Sequence, residues 1–231
     1  MDKQELITRL LDHEFVMFHA VNGDGEKADC QNDRQTFDMM RRAQFSAWSP
    51  EAVRSYYEDI LEAERTGRNL CAEKYIHMMK STAILQYEQL KDRLTFPDDR
   101  GRELAELING KMIRQTEALF ARYPYISGAG RPLYSTQDLG AATSIETYQR
   151  GELLTYSTRT LELLYRHLCD LEARGVSLAE KILEGSVCSY GYASLEEAEA
   201  ETKKRAEAMG IEISYGCSRC AEQVTPEEVM P

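Results

Sequence analysis

No stretch of this chain stays apolar for the roughly 18 residues that a membrane span requires. Its 28 Lys and Arg are outnumbered by 39 Asp and Glu, for a net charge of −11. The first absence predicts no membrane partner. The second argues against nucleic acid, because phosphate binding needs clustered cations. Enzyme signatures are missing as well: there is no Gly-rich phosphate loop, no G-x-S-x-G elbow and no H-E-x-x-H. None of His13, His19, His77 or His167 has a carboxylate three residues before it, so the Glu-x-x-His pairs of ferritin-like di-iron bundles are excluded. Internal repeats and low-complexity tracts are absent too. The acidic, polar start Met1-Asp2-Lys3-Gln4-Glu5 does not read as a targeting signal, so a cytoplasmic location is expected.

What is present is helical periodicity with clear punctuation. A first helix runs from about Asp2 to Val21 and stops at Asn22-Gly23-Asp24-Gly25. A second spans about Asp33 to Trp48. Ser49 is a natural N-cap with Pro50 at the first helical position, and Gly67 closes that third helix. The next pattern runs from Asn69 to about Leu94, with a candidate break at Ser81-Thr82. Pro97 and Asp98-Asp99 open a helix that ends before Pro124. Residues 125–143 hold Gly128, Gly130, Pro132 and Gly140 and predict a long irregular loop, either a crossover or a functional element. A long helix is predicted from Ser144 to Arg174. Ser177 with Glu180 and Ser194 with Glu197 are capping boxes that start two more. The fold class is therefore all-α: one compact bundle of about seven to nine helices over residues 1–209. A short irregular tail, 210–231, follows, in which Ile211–Tyr215 alternates weakly like a strand.

The informative residues are polar groups in apolar stripes. Ile7, Leu10, Leu11, Met17, Phe18 and Val21 form one face at about 100° per residue, with Glu14 at its centre. A buried charge is costly unless it is paired, protonated or bound. In the second helix Gln44 interrupts Phe37, Met40 and Trp48, and the neighbouring Arg41 can pair with a carboxylate such as Glu14. Glu73 sits at the edge of the fourth stripe, with His77 one turn on. In the long helix, Ser157 and Thr160 interrupt Leu153, Leu164, Leu168 and Leu171, and the stripe projects back to Arg150 and Glu146. With Tyr148, Tyr156 and Tyr165 close by, these groups predict a polar cavity between helices, the usual form of a ligand site in a bundle. The structural alternative is a self-satisfied network of ion pairs.

Six cysteines in an expected reducing compartment read as thiols or metal ligands rather than disulfides. Cys71 and Cys169 fall inside helical patterns as small core residues. Cys30, beside the second helix start, is placed either to act as a nucleophile or to pack under the loop. Cys217-Ser218-Arg219-Cys220 is a C-x-x-C that could hold zinc or iron with further ligands; four zinc ligands normally need two such pairs. A redox dithiol and a pair of free thiols remain alternatives. Glu73 with His77 could share a metal, although that spacing is common by chance.

Cys30-Gln31-Asn32-Asp33, Thr36-Phe37, Met40-Arg41, Gln44-Phe45 and Trp48 resemble a bacterial family, domain-of-unknown-function family 4125. The similarity continues through Asn69-Leu70, Glu73-Lys74-Tyr75, Met78-Met79, Ser81-Thr82, Gly130-Arg131-Pro132 and Ser144 to Ser157, over roughly residues 3–200. The resemblance implies a bacterial cytoplasm and transfers no activity. It draws attention to Glu14, Arg41, Gln44, Glu73 and Glu152, and it leaves the C-x-x-C tail outside the pattern. The leading expectation is a small-molecule pocket. Glu14, Glu73 and Glu152 would act as acid/base groups or cation anchors, and Arg41, Gln44, Trp48, His77, Arg150 and Tyr156 would contact the ligand. The alternatives are a metalloprotein using Cys217 and Cys220, or a helical interaction module. Nothing in the pattern excludes a homo-oligomer.

Overall fold

The computed structural model describes residues 1–21, 31–128, 130–139 and 143–211. Among these residues there are eleven α-helices: α1 (Lys3–His19), α2 (Arg34–Ala47), α3 (Pro50–Arg65), α4 (Leu70–Thr82), α5 (Ile84–Leu90), α6 (Asp99–Arg122), α7 (Pro124–Gly128), α8 (Ile145–Leu153), α9 (Thr158–Ala173), α10 (Leu178–Ser189) and α11 (Leu195–Ala208). Within the described residues no helix is long and apolar enough to cross a membrane.

The helix starts follow the capping chemistry. The side chains of Asp2, Asp33, Ser49, Asn69, Asp98, Ser144, Ser157, Ser177 and Ser194 each accept a backbone N–H from the first turn that follows. Two expected helices are divided, and a short one is added, which brings the number above the seven to nine expected. The pattern from Asn69 breaks at Ala83 (φ −151°, ψ 62°), where Ser81 and Thr82 turn their hydroxyls back onto the Met78 carbonyl. The long helix expected from Ser144 to Arg174 breaks between Leu153 and Thr158. The hydroxyls that interrupt its stripe explain why: Ser157 leaves the helix to cap α9 through Thr160 N, while Asp59 of α3 accepts Ser157 N and Thr160 Oγ1.

The expected irregular loop is partly built. α7 is capped by Glu199 of α11, which accepts the N–H groups of Tyr125 and Ile126. Ser135–Gln137 is a 3-10 turn. Asp138 then accepts from Ser144 N, Thr147 Oγ1 and Ser81 Oγ at 2.6–2.8 Å, fastening the loop to α4 and α8.

The main core gathers Leu6, Ile7, Leu10 and Leu11 of α1, Tyr56 and Ile60 of α3, Leu104 and Ile108 of α6, and Leu161, Leu164 and Leu168 of α9. Two glycines permit close helix contacts. A Cβ on Gly151 of α8 would lie 2.9 Å from the Lys74 carbonyl of α4, and one on Gly185 of α10 would lie 3.3 Å from the Ala43 Cβ of α2. The first contact brings the α4 and α8 polar residues to the same place.

Candidate functional site

Phe45, Trp48, Tyr56 and Tyr156 pack as an aromatic cluster, with the two tyrosine rings 4.6 Å apart. Both hydroxyls point to buried carboxylates. Tyr56 Oη donates to Glu14 Oε1 at 2.9 Å, and Tyr156 Oη donates to Glu152 Oε1 at 2.5 Å. Arg41 lies between the two acids. Its Nε and Nη2 make a two-pronged contact with Glu14 at 2.9 and 2.5 Å, and its Nη1 donates to Glu152 Oε1 at 2.8 Å and to Gln44 Oε1 at 2.7 Å. Gln44 Nε2 completes the ring by donating to Glu152 Oε1 at 3.1 Å. The guanidinium also stands 4.6 Å over the Phe45 ring.

The network has a second cation. Lys74 Nζ sits 3.7 Å from Glu152 Oε2 and donates to Tyr148 Oη at 2.7 Å. Side-chain exposure is 4% for Glu14, 9% for Glu152 and Lys74, and 11% for Arg41. Two carboxylates thus face two cations, and the formal charges cancel. Burial on its own would raise the Glu152 pKa, but Arg41 and Lys74 hold it well below the usual carboxylate range. Burial would lower Lys74, yet Tyr148 and Glu152 push it up. Tyr56 and Tyr156 are driven upward by burial and then by the neighbouring carboxylates, so both stay protonated donors. Burial and Glu14 push the Cys71 thiol up to about 12, which keeps it an inert core thiol.

The structure therefore brings Glu14, Arg41, Gln44, Glu152 and Tyr156 together, with Trp48 packing against Tyr156. Three expected residues lie outside. Glu73 is held by Arg68 through two bonds of 2.8 and 2.7 Å rather than by a cation of the network. Arg150 is half-buried and pairs with Glu106 and Glu146. His77 is buried beside the Phe96 ring, with no hydrogen-bond partner at Nε2 among the described residues. Burial, and then the Lys80 charge, pull its pKa down to about 4. No group of three His, Cys, Asp or Glu that could hold a metal occurs among the described residues. Cys30, Cys217, Cys220 and the alternating run after Ile211 lie outside the described residues.

Sequence reasoning passed over Lys74 and Tyr56, and it named Tyr148 only as a neighbour of the polar residues. Lys74 carried a usable signal, because it stands in a Leu70–Lys74–Met78 stripe as anomalous as the one around Glu14. Tyr56 carried none, since a core aromatic and a hydroxyl donor look alike in a stripe. Two surface clefts of about 250 and 290 Å³ lie elsewhere, around Arg114 and Gln115 and around Cys188 and Glu184, and no network residue lines either.

A family model described as a protein of unknown function (DUF4125) matches residues 4–200. The chain belongs to this family. Every network residue falls within the DUF4125 match, and the Cys217/Cys220 pair falls beyond it. Neither the curated proteins nor the solved structures contain a match to the chain.

Proposed function

We propose that this DUF4125 protein binds a small polar molecule where α2, α4 and α8 meet, with Glu152 and Lys74 as the recognition pair. One observation carries the reading. In a network whose other carboxylate and amide oxygens all accept hydrogen bonds, Glu152 Oε2 accepts none among the described residues, and the Lys74 ammonium uses one of its three donors, on Tyr148. These groups stand side by side at 3.7 Å, an acceptor and a donor with capacity left, oriented by Arg41, Gln44 and Tyr156. Buried ion networks are seldom the cheapest way to stabilise a core, so a recognition role gives this arrangement a reason that architecture does not. No reaction is assigned to the site.

The test is a thermal-shift screen of small amines, amino acids and carboxylic acids against the wild type, Glu152→Gln and, as a distant control, Glu199→Gln. A binder present at about 100 times its Kd adds about 2.7 kcal/mol and raises Tm by roughly 5–10 °C. That rise should occur in the wild type and the control and vanish in folded Glu152→Gln. A screen with no shift, or a shift that persists in Glu152→Gln, overturns the reading.

A further inference from the structure

Glu152 Oε2 and Lys74 Nζ, 3.7 Å apart where α8 meets α4, have a third charged group close by. The Arg131 guanidinium lies 5.0 Å from the centre of the Tyr148 ring, and Lys74 Nζ lies 4.3 Å from the same point. The two positive centres are therefore separated by no more than the sum of those distances. Arg131 pairs with no carboxylate among the described residues, and its Nη1 donates to the Thr143 carbonyl at 3.0 Å. Lys74 and Glu152 are buried, Tyr148 is half-buried and Arg131 is exposed, so burial falls off from the polar pair towards Arg131.

The charges of the pair select its ligand. An amine alone would set a second ammonium beside Lys74, and a carboxylic acid alone a second carboxylate beside Glu152. Either leaves an unbalanced charge in a buried network whose formal charges cancel. A molecule that carries both groups meets each with its opposite and leaves the balance unchanged. Spacing narrows the class further. Standard bond lengths put the ammonium nitrogen and the nearest carboxylate oxygen of an α-amino acid about 3 Å apart, close to the 3.7 Å between Glu152 Oε2 and Lys74 Nζ. A longer chain with the two groups at its ends holds them further apart when extended. Building on the recognition pair proposed above, we infer that the site takes a free α-amino acid as its zwitterion: Glu152 Oε2 accepts from the ammonium, Lys74 Nζ donates to the carboxylate, and Arg131 keeps the potential positive on the carboxylate side. Both contacts are charge-assisted hydrogen bonds, the stronger kind. Arg131 acts through its field and needs no contact with the ligand.

Thermal shift of the full chain with each standard L-α-amino acid at about 10 mM, then calorimetric titration of those that stabilise it, tests this. At least one should raise Tm. The amine made by removing its carboxylate, and the acid made by removing its ammonium, should each bind at least about 10-fold more weakly. Arg131→Glu should raise the Kd of the amino acid by about 5-fold or more, because it reverses a charge near the carboxylate. Its far-UV circular dichroism should not change, since Arg131 is exposed. The inference is overturned if no amino acid stabilises the protein, if either fragment binds as tightly as its parent, or if Arg131→Glu has no effect on binding. An amine or carboxylic acid that stabilises the wild type but not Glu152→Gln, while every amino acid fails, overturns this assignment alone and leaves the recognition pair standing. Silence from all three classes overturns both.

Discussion

Arg41 makes four hydrogen bonds to side chains of the network, so its removal takes a cation from both acids at once. Arg41→Met would leave Glu14 with Tyr56 alone, and Glu152 with Gln44, Tyr156 and the more distant Lys74. The expected loss is about 3–5 kcal/mol at neutral pH, the range for breaking a buried pair from one side. Adding Glu14→Gln should return part of it by removing the uncompensated charge. Urea unfolding of the two variants measures both numbers, and a single-variant loss below about 1 kcal/mol would mean that water reaches the network. At this scale the sequence was informative wherever a polar residue broke a stripe: Glu14 and Gln44 stood out, and the Arg41–Glu14 pair was anticipated. Glu73 stood at the edge of a stripe, and its carboxylate found a cation in Arg68, five residues away and brought alongside by the turn before α4.

At the scale of elements, the position of Gly151 determines how closely α8 approaches α4. Alanine there would gain about 1 kcal/mol in helix propensity. It would also place a methyl group 2.9 Å from the Lys74 carbonyl, which is backbone and cannot swing aside. Overpacking of that kind costs about 3 kcal/mol, so Gly151→Ala should be destabilised by about 2 kcal/mol net and lose roughly 4–8 °C in Tm. Gly185→Ala meets the Ala43 Cβ at 3.3 Å, a contact that small shifts relieve, and should stay close to wild type in the same calorimetric comparison. Helix starts were legible almost everywhere because a cap is a local device, written within four residues. The division between α8 and α9 was not, although Ser157 and Thr160 were visible as interruptions. Whether a hydroxyl faces a cavity or caps a new helix depends on Asp59, almost a hundred residues earlier in the chain.

For the molecule as a whole, acid should unfold this protein in two stages. The folded pKa of His77 is about 4, below its ordinary 6.5, so between those values the unfolded chain takes up a proton that the folded chain refuses. Stability therefore falls as pH drops from 6.5 to 4, by about 3 kcal/mol for that group. The folded pKa of Glu152 is also depressed, but for a carboxylate this means a contribution fully present above its ordinary 4.5 and lost as pH falls below it. Urea midpoints between about pH 7.5 and pH 3 should thus be flat at the top, then decline. His77→Leu should lose the upper stage and keep the lower; an unchanged upper stage in that variant would remove His77 as its source. The all-α class, the capped helix starts and the existence of a buried polar problem around Glu14 were determined by the sequence alone. Each depends on spacing within one or two helical turns. Which groups solve that problem was decided only by the tertiary structure. Glu14, Arg41, Lys74 and Glu152 come from four helices spread over 138 residues, and their partnership depends on how closely α4 and α8 approach one another.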